Sequence, residues 1–327
     1  MVKHISRYTA LAGLAIALVI VWRSHPVQVF ELLLNAGAGL LVAGLAHVLP
    51  MLANARDWQT LIRGANRPTL LSMLTLVWIR ESVNCMLPVA RVGGELVSFQ
   101  LLRRWGLRAS TAAASLVVDL QLTIISQFIF TMAGIGFLAA YGGSATGKVI
   151  GVLSWSTALL VPFPILFALV QHVSPFALVS RALGWMTNGK LNALVGPSVQ
   201  TDQAIKLIWR RRAVILRYLF LWQPLQCAAT AFELWIALYF LGTNASFAVA
   251  LTIEILIQAV SSAAFVVPGA LGVQEGAFVL IGGWFGIEPS TSLALAGARR
   301  VRDLLIFVPG LFAWQFAIRG KVRSSAS

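Results

Sequence analysis

The sequence predicts an all-α polytopic membrane protein with about six transmembrane helices and two re-entrant helical hairpins related by an inverted internal repeat. Three observations predict it. Of 327 residues, 58% are hydrophobic and only 11% charged, and the mean hydropathy of +0.83 is far above that of a soluble domain. Apolar windows long enough to cross roughly 30 Å of hydrocarbon recur along the chain between clusters of Arg, Lys, Pro or Gly. Two further apolar stretches are broken by Pro and Gly and share residues at a fixed offset.

Six windows read as crossings: 8–22, 29–53, 110–140, 148–171, 213–241 and 291–318. The first follows Lys3 and Arg7, and Val21 to Pro26 offer no small-x-small cleavage site, so an uncleaved anchor is expected. The stretches 69–102 and 247–287 read as hairpins that leave on the side they entered. With that choice the clusters Arg56/Arg63/Arg67, Arg103/Arg104/Arg108, Arg181 to Arg212 and Arg319/Lys321/Arg323 all fall on one side, which the positive-inside rule makes cytoplasmic, along with both termini. The expected location is a bacterial inner membrane. Topology thus accounts for most of the net charge of +14, and a nucleic-acid partner is not expected.

An offset of 180 residues aligns Pro88 with Pro268, Ala90 with Ala270, Glu95 with Glu275, Gly106 with Gly286, and Ser110, Thr111 and Ala114 with Ser290, Thr291 and Ala294. Three crossings between the copies would invert one relative to the other, as in transporters that build a midplane site from broken helices. One membrane domain, 1–327, then divides into an N-terminal helical hairpin (1–68), a first copy (69–140), connecting spans with a cytoplasmic segment at 172–212 (141–246), and a second copy (247–327). An amphipathic surface helix is expected near the end of that cytoplasmic segment.

Charge inside a membrane costs about 2.5–3.5 kcal/mol per residue on insertion scales, so Arg80, Glu81, Glu95, Asp119, Glu254, Glu275, Arg299, Arg300, Arg302 and Asp303 need a reason. Glu95 follows Arg91 to Gly94, and Glu275 follows Pro268, Gly269 and Gly272, so each carboxylate stands beside backbone whose amides are freed from helix pairing. Arg299 and Asp303 are one helical turn apart, which predicts an ion pair with Arg302 as a spare cation and Glu275 as a partner. Two readings stand: the charges lock the hairpins together, or they form a path for a polar headgroup whose tail stays in lipid. Asn84, Gln121, Gln127, Gln223, Gln226 and Glu233 read as helix-to-helix glue.

Cys85 and Cys227 are far apart, and the four histidines form no metal-binding spacing, so neither a metal nor a cofactor is expected. No GxxxxGK[ST] sequence occurs, which leaves downhill, ion-coupled or partner-dependent transport. A lipid flippase or transporter is therefore expected, its substrate a membrane lipid and its possible partners lipid-biosynthesis enzymes. The alternative is a membrane-embedded lipid-modifying transferase with Glu95, Glu275 or Asp303 as general base, or an accessory factor in lipid biosynthesis.

Leu87 to Arg104 (LPVARVGGELVSFQLLRR) and Val267 to Gly276 (VPGALGVQEG), with Arg299 to Asp303 downstream, resemble the transmembrane region of lysylphosphatidylglycerol synthases and its stand-alone flippase-like relatives. That family's pattern falls here on Pro88, Gly94 and Glu95, and on Pro268, Gly269, Leu271, Gly272 and Glu275, with Ala270 in place of the usual second glycine. Size and detail are most similar to the hopanoid-biosynthesis-associated members. The resemblance implies movement of a phospholipid, aminoacyl-phospholipid or hopanoid-type lipid, and no aminoacyl transfer, since only 172–212 is expected to lie free of the membrane. The expected substrate path comprises Arg80, Glu81, Arg91, Gly94, Glu95, Asp119, Glu254, Pro268, Gly269, Gly272, Glu275, Arg299, Arg302 and Asp303.

Overall fold

The computed structural model describes residues 26–64, 66–87, 93–141, 198–263 and 270–319. The windows expected at 8–22 and 148–171, the first part of the 172–212 connection and both termini lie outside the described residues, as do Arg91, Pro268 and Gly269 at the hairpin tips.

Every regular element among the described residues is helical. The expected 29–53 span is α1 (Pro26–Ala36), α2 (Ala38–Ala46) and α3 (Val48–Leu61), divided at Gly37 and at His47. α4 (Leu70–Met86) starts where the Thr69 hydroxyl accepts from the Ser72 amide at 3.2 Å, which satisfies one orphan donor of the first turn. α5 (Gly93–Arg104) has Glu95 in its first turn and Arg103 and Arg104 in its last, charges that complement the helix dipole. It closes at Gly106, φ +88°, with the Leu107 amide donating back to the Leu102 carbonyl at 3.2 Å. The Asn66 side-chain amide then donates to the Gly106 carbonyl at 3.1 Å. The chain leaving α5 therefore meets the chain entering α4, so the pair is an antiparallel hairpin, and the 33-residue α6 (Ala109–Tyr141) follows.

After α7 (Ser198–Trp209) and α8 (Arg212–Arg217), a π-helical turn (Tyr218–Trp222) leads into α9 (Gln223–Phe240). α7 is the helix expected at the end of the cytoplasmic segment, and it packs on α6, with Trp209 donating to Gln121 at 2.9 Å. The last three helices have the lengths and turns of α4 to α6. α10 (Phe247–Ala263) has 17 residues like α4, and α11 (Val273–Trp284) has 12 like α5. Gly286, φ +74°, closes α11 with the Ile287 amide on the Gly282 carbonyl at 3.0 Å, and α12 (Pro289–Arg319) begins three residues later. The first arm of each hairpin packs against the other unit's long helix, α4 on α12 and α10 on α6, while the second arms α5 and α11 pack against their own, α6 and α12.

Two apolar cores lie toward opposite ends of α6. Ala112 to Leu122 pack with Trp58, Leu61, Met73, Leu102 and Ile208, while Ile135 and Leu138 pack with Leu238, Ile253, Phe278 and Ile281. At the first end Arg211 donates to the carbonyls of Thr60 at 2.7 Å and Leu61 at 3.1 Å. Partial burial and the neighbouring Arg63, Arg67 and Arg217 guanidiniums hold it below the ordinary arginine value. Of the basic segments expected on one side, those holding Arg63, Arg67 and Arg211 therefore meet at this end, while Arg181, Lys190, Lys321 and Arg323 lie outside the described residues.

Solvent preference runs opposite to that of a water-soluble protein. Leu45 and Phe316 are 71% exposed and Phe220 69%, while Asp57 is 0% and Asp119 4% exposed. An apolar exterior around buried charge is the expected partition for a chain dissolved in lipid. Among the described residues two helical stretches are long and apolar enough to span, Ala38–Leu61 and Ala109–Leu138, and Phe247–Ser262 is apolar but shorter. The helix over the expected 291–318 span carries the Arg299 to Asp303 charges, and α9, over the expected 213–241 span, carries Gln223, Gln226 and Glu233.

The α4–α12 contact is close because Gly310 sits against Ser82 and the Trp78 indole, and Trp78 donates to the Ile306 carbonyl at 2.7 Å in the turn that Pro309 loosens. A leucine there has no room, so Gly310→Leu is expected to destabilise by about 1–3 kcal/mol and lower the midpoint of thermal unfolding in detergent. Ala270 has φ +49°, a conformation that costs an L side chain roughly 1–2 kcal/mol. Ala270→Gly is expected to raise the same midpoint; an unchanged midpoint in both variants would contradict this packing.

Candidate functional site

One turn of α12 carries three buried charged side chains, Arg299, Arg302 and Asp303, with the half-buried Arg300 among them. Arg299, Arg300, Arg302 and Asp303 leave the helix in different directions, because successive residues are rotated by about 100° around its axis. Arg299 pairs with Glu254 of α10 and stacks over Phe278, 5.3 Å from the ring centre. Arg300 donates to Glu275 of α11 from Nε at 2.9 Å and from Nη2 at 2.8 Å. Arg302 reaches Glu233 of α9 at 2.7 Å and its neighbour Asp303 at 2.6 Å. The Cys85 thiol of α4 donates to Asp303 at 3.7 Å. This turn therefore ties α4, α9, α10 and α11 to α12.

His47, at the break between α2 and α3, completes the network. Its Nδ1 lies 2.7 Å from both a Glu233 oxygen and an Arg302 nitrogen. One ring nitrogen donates to the carboxylate or accepts from the guanidinium, not both, so the tautomer decides which contact is a hydrogen bond. Nε2 has no hydrogen-bond partner and faces Glu81 at 3.7 Å. Beside this network a small recess of about 10 Å³ lies between α2, α9 and α12, lined by Leu40, Ala43, Ala237 and Leu295 together with Glu233, Arg299 and Arg302.

A second centre lies around α4. Arg80 donates to Asp119 of α6 at 2.8 Å and to Asn54 of α3 at 2.9 Å, and its guanidinium stacks on Trp58 at 4.6 Å. Tyr218 donates to the other Asp119 oxygen at 2.8 Å, and Gln223 donates to Asp57 at 2.8 Å. Glu95, in the first turn of α5, faces Arg80 and Asn84. Gly94 makes this approach possible: its amide donates to Asn84 at 2.8 Å, and a side chain there would meet the Arg80 carbonyl.

The residues expected to form one path thus fall into two centres. Arg80, Gly94, Glu95 and Asp119 meet in one. Glu275, Arg302 and Asp303 meet in the other, with Glu81 at its margin, and Arg299 and Glu254 make a separate pair beside it. Gly272 at φ +77° caps α11, its amide donating to Glu275 at 2.7 Å, so that carboxylate is shared between the hairpin tip and Arg300.

Three expectations change. Arg299 pairs with Glu254 and not with Asp303, because a cross-helix partner lies on its own side of α12. Asp303 takes Arg302 instead. Arg302 is no spare cation, since Glu233 and His47 engage it as well. Glu275 serves Arg300. The sequence does not single out His47, Asn54, Asp57 or Tyr218, and it marks Glu233 and Gln223 only as glue. The signal it does carry is the apolar run on both sides of His47, which places an ionisable ring inside a span. Among the described residues no group of three His, Cys, Asp or Glu side chains could hold a metal ion.

A sequence profile of the family described as "Lysylphosphatidylglycerol synthase TM region" matches residues 10–310. No curated protein and no solved structure matches the chain.

The Arg299–Glu254 pair is buried and shares neither group with the rest of the network at hydrogen-bond distance among the described residues. Arg299→Met leaves Glu254 buried without its partner and is expected to cost about 3–5 kcal/mol. The double variant Arg299→Met/Glu254→Met should recover most of that loss in detergent thermal unfolding. A double variant as unstable as the single would show that the pair is not an independent lock.

Proposed function

The chain belongs to the lysylphosphatidylglycerol synthase transmembrane-region family, and from that premise we propose that it is a flippase-type transporter, moving a polar-headgroup lipid across the bacterial inner membrane. The observation that carries this reading is the pair of buried charge centres, each with a hairpin carboxylate, Glu95 or Glu275, beside arginines inside a bundle whose exterior is apolar. A headgroup crossing hydrocarbon must exchange water for fixed polar partners at every stage. Centres whose members already share partners can supply them.

The two hairpins act in this reading as re-entrant elements of an inverted pair. The equal lengths of α4 and α10 and of α5 and α11, together with the glycine closures at Gly106 and Gly286, support it. So does the Asn66–Gly106 bond, which returns the first hairpin to its own end. The arginine-rich end faces the cytoplasm under the positive-inside rule. The chain itself performs no aminoacyl transfer in this reading.

Reconstituted protein should accelerate exchange of one-leaflet fluorescent lipids, tested in parallel with anionic, zwitterionic and amine-bearing headgroups. Glu95→Gln and Glu275→Gln should each reduce that rate by tenfold or more, about 1.4 kcal/mol in the barrier. Absence of exchange, with a covalently altered lipid found by mass spectrometry, would replace transport by membrane-embedded transferase chemistry.

A further inference from the structure

Asp57 is fully buried, 0% exposed, and only half satisfied. Oδ2 accepts from the Gln223 amide at 2.8 Å, and Oδ1 has no hydrogen-bond partner. The titratable or charged groups facing it among the described residues are few. α4 brings Arg80, α6 brings Asp119, and the π-helical turn brings Tyr218, while α9 supplies only the neutral Gln223. Glu95 stands beyond Arg80.

Charge accounting for this centre leaves two carboxyls, Asp57 and Glu95, without an ion pair of their own, since Arg80 is on Asp119, and of these Asp57 is the fully buried one. Arg80 spends its two terminal nitrogens on Asp119 and Asn54, and Asp119 is satisfied on both oxygens, by Arg80 and by Tyr218. Asp57 keeps one neutral donor. An ionised Asp57 would be a buried anion beside a second anion with no cation of its own, an arrangement that proteins avoid by holding a proton. The proton belongs on Oδ1, since Oδ2 already accepts.

We propose that Asp57 and Asp119 form a proton-exchange site in which one guanidinium, Arg80, pairs with one carboxyl while the other carboxyl carries the proton. In the structure Arg80 is on Asp119, so Asp57 is the protonated member. When Arg80 transfers to Asp57, the Oδ1–H bond breaks, the electron pair stays on the carboxylate and the proton passes to water. Asp119 takes up a proton from water on the oxygen that Arg80 has left. The initial and final states carry the same charge, one proton released from Asp57 being balanced by one taken up at Asp119.

Arg80 is carried by α4, the first arm of a hairpin, whereas Asp57 and Asp119 are on α3 and α6. A displacement of the hairpin relative to those two helices is therefore the motion that switches the partner. Proton binding at the centre stands on the geometry above, while its coupling to lipid movement rests on the proposed transport function. Asn54, which holds the second terminal nitrogen of Arg80, lies on α3 one helical turn before Asp57, so the guanidinium already touches the helix face that carries Asp57.

The test is infrared difference spectroscopy of the full chain in lipid nanodiscs as pH is stepped from acid to alkaline. The expected result is a protonated-carboxyl carbonyl band that shifts in deuterated water and is missing in Asp57→Asn. Asp119→Asn frees Arg80 for Asp57 and should weaken proton affinity at Asp57 at least tenfold. Tyr218→Phe, a smaller change that keeps the packing, should weaken it to a lesser extent, because Asp119 without that hydroxyl gives up its charge more readily and releases Arg80 to Asp57. A band unchanged in Asp57→Asn, or a titration unmoved in both other variants, overturns the proposal.

Lipid exchange under an imposed pH gradient separates the proton site from the transport function. Exchange that responds to the gradient in the wild type and not in Asp57→Asn supports coupling. Exchange indifferent to the gradient overturns the coupling and leaves transport standing. An Asp57 band without any lipid exchange supports the proton site and overturns the transport function instead.

Discussion

Arg302 is the constraint around which the rest of the bundle is arranged. A guanidinium inside a membrane protein is tolerated only when its charge and its donors are met within the protein, and Arg302 meets them through Glu233 and Asp303. Those partners arrive from different elements, so α9 and α12 can approach in only one register. His47 joins at the same point, which fixes the break between α2 and α3 against both. Buried ion pairs return little net stability after desolvation. Their effect here is to exclude alternative packings, in which at least one of these groups would be bare.

Apolar surface cannot give that selectivity between helices already dissolved in lipid, because tails and side chains solvate an apolar helix equally well. Close approach and polar pairing decide instead. Gly310 lets α4 lie against α12, and Gly94 lets the start of α5 lie under the Arg80 carbonyl. Each glycine stands within one or two helical turns of a charge centre. Small residues and ion pairs therefore act together: the glycine sets the distance at which the charges can meet.

Much of this could be read from the sequence. The paired helices within 69–102 and 247–287 were legible because a Pro/Gly break interrupts each apolar run, and the closures at Gly106 and Gly286 follow from positions where φ is positive. The intramembrane charges were legible because each is expensive in hydrocarbon. Their pairing was not. Arg299 to Asp303 gives every helix-internal spacing at once, and only the placement of α9, α10 and α11 around that turn selects Glu254, Glu275 and Glu233. Asp57 escaped because it follows Arg56 near a basic loop, where a carboxylate reads as surface charge. Its burial arises from α9 and the π-helical turn, more than 150 residues later in the chain. Ala270 shows the converse: its place in a glycine-rich pattern was visible, and its positive φ supplies the physical reason for glycine there.

The two kinds of ion pair in this bundle differ in how they can respond to an incoming polar group. Arg299 and Glu254 are closed on each other, so separating them leaves two buried charges bare at once, and such a pair resists rearrangement. Glu233 is shared between Arg302 and His47, Asp303 between Arg302, Arg300 and Cys85, and Glu275 between Arg300 and the α11 amide of Gly272. In a shared network one partner can leave while another remains, so each step of an exchange costs less than breaking an isolated pair. A small recess borders the network at Glu233 and Arg302. Rearrangement is therefore cheapest within the shared network, while the closed pair next to it keeps α10 fixed to α12.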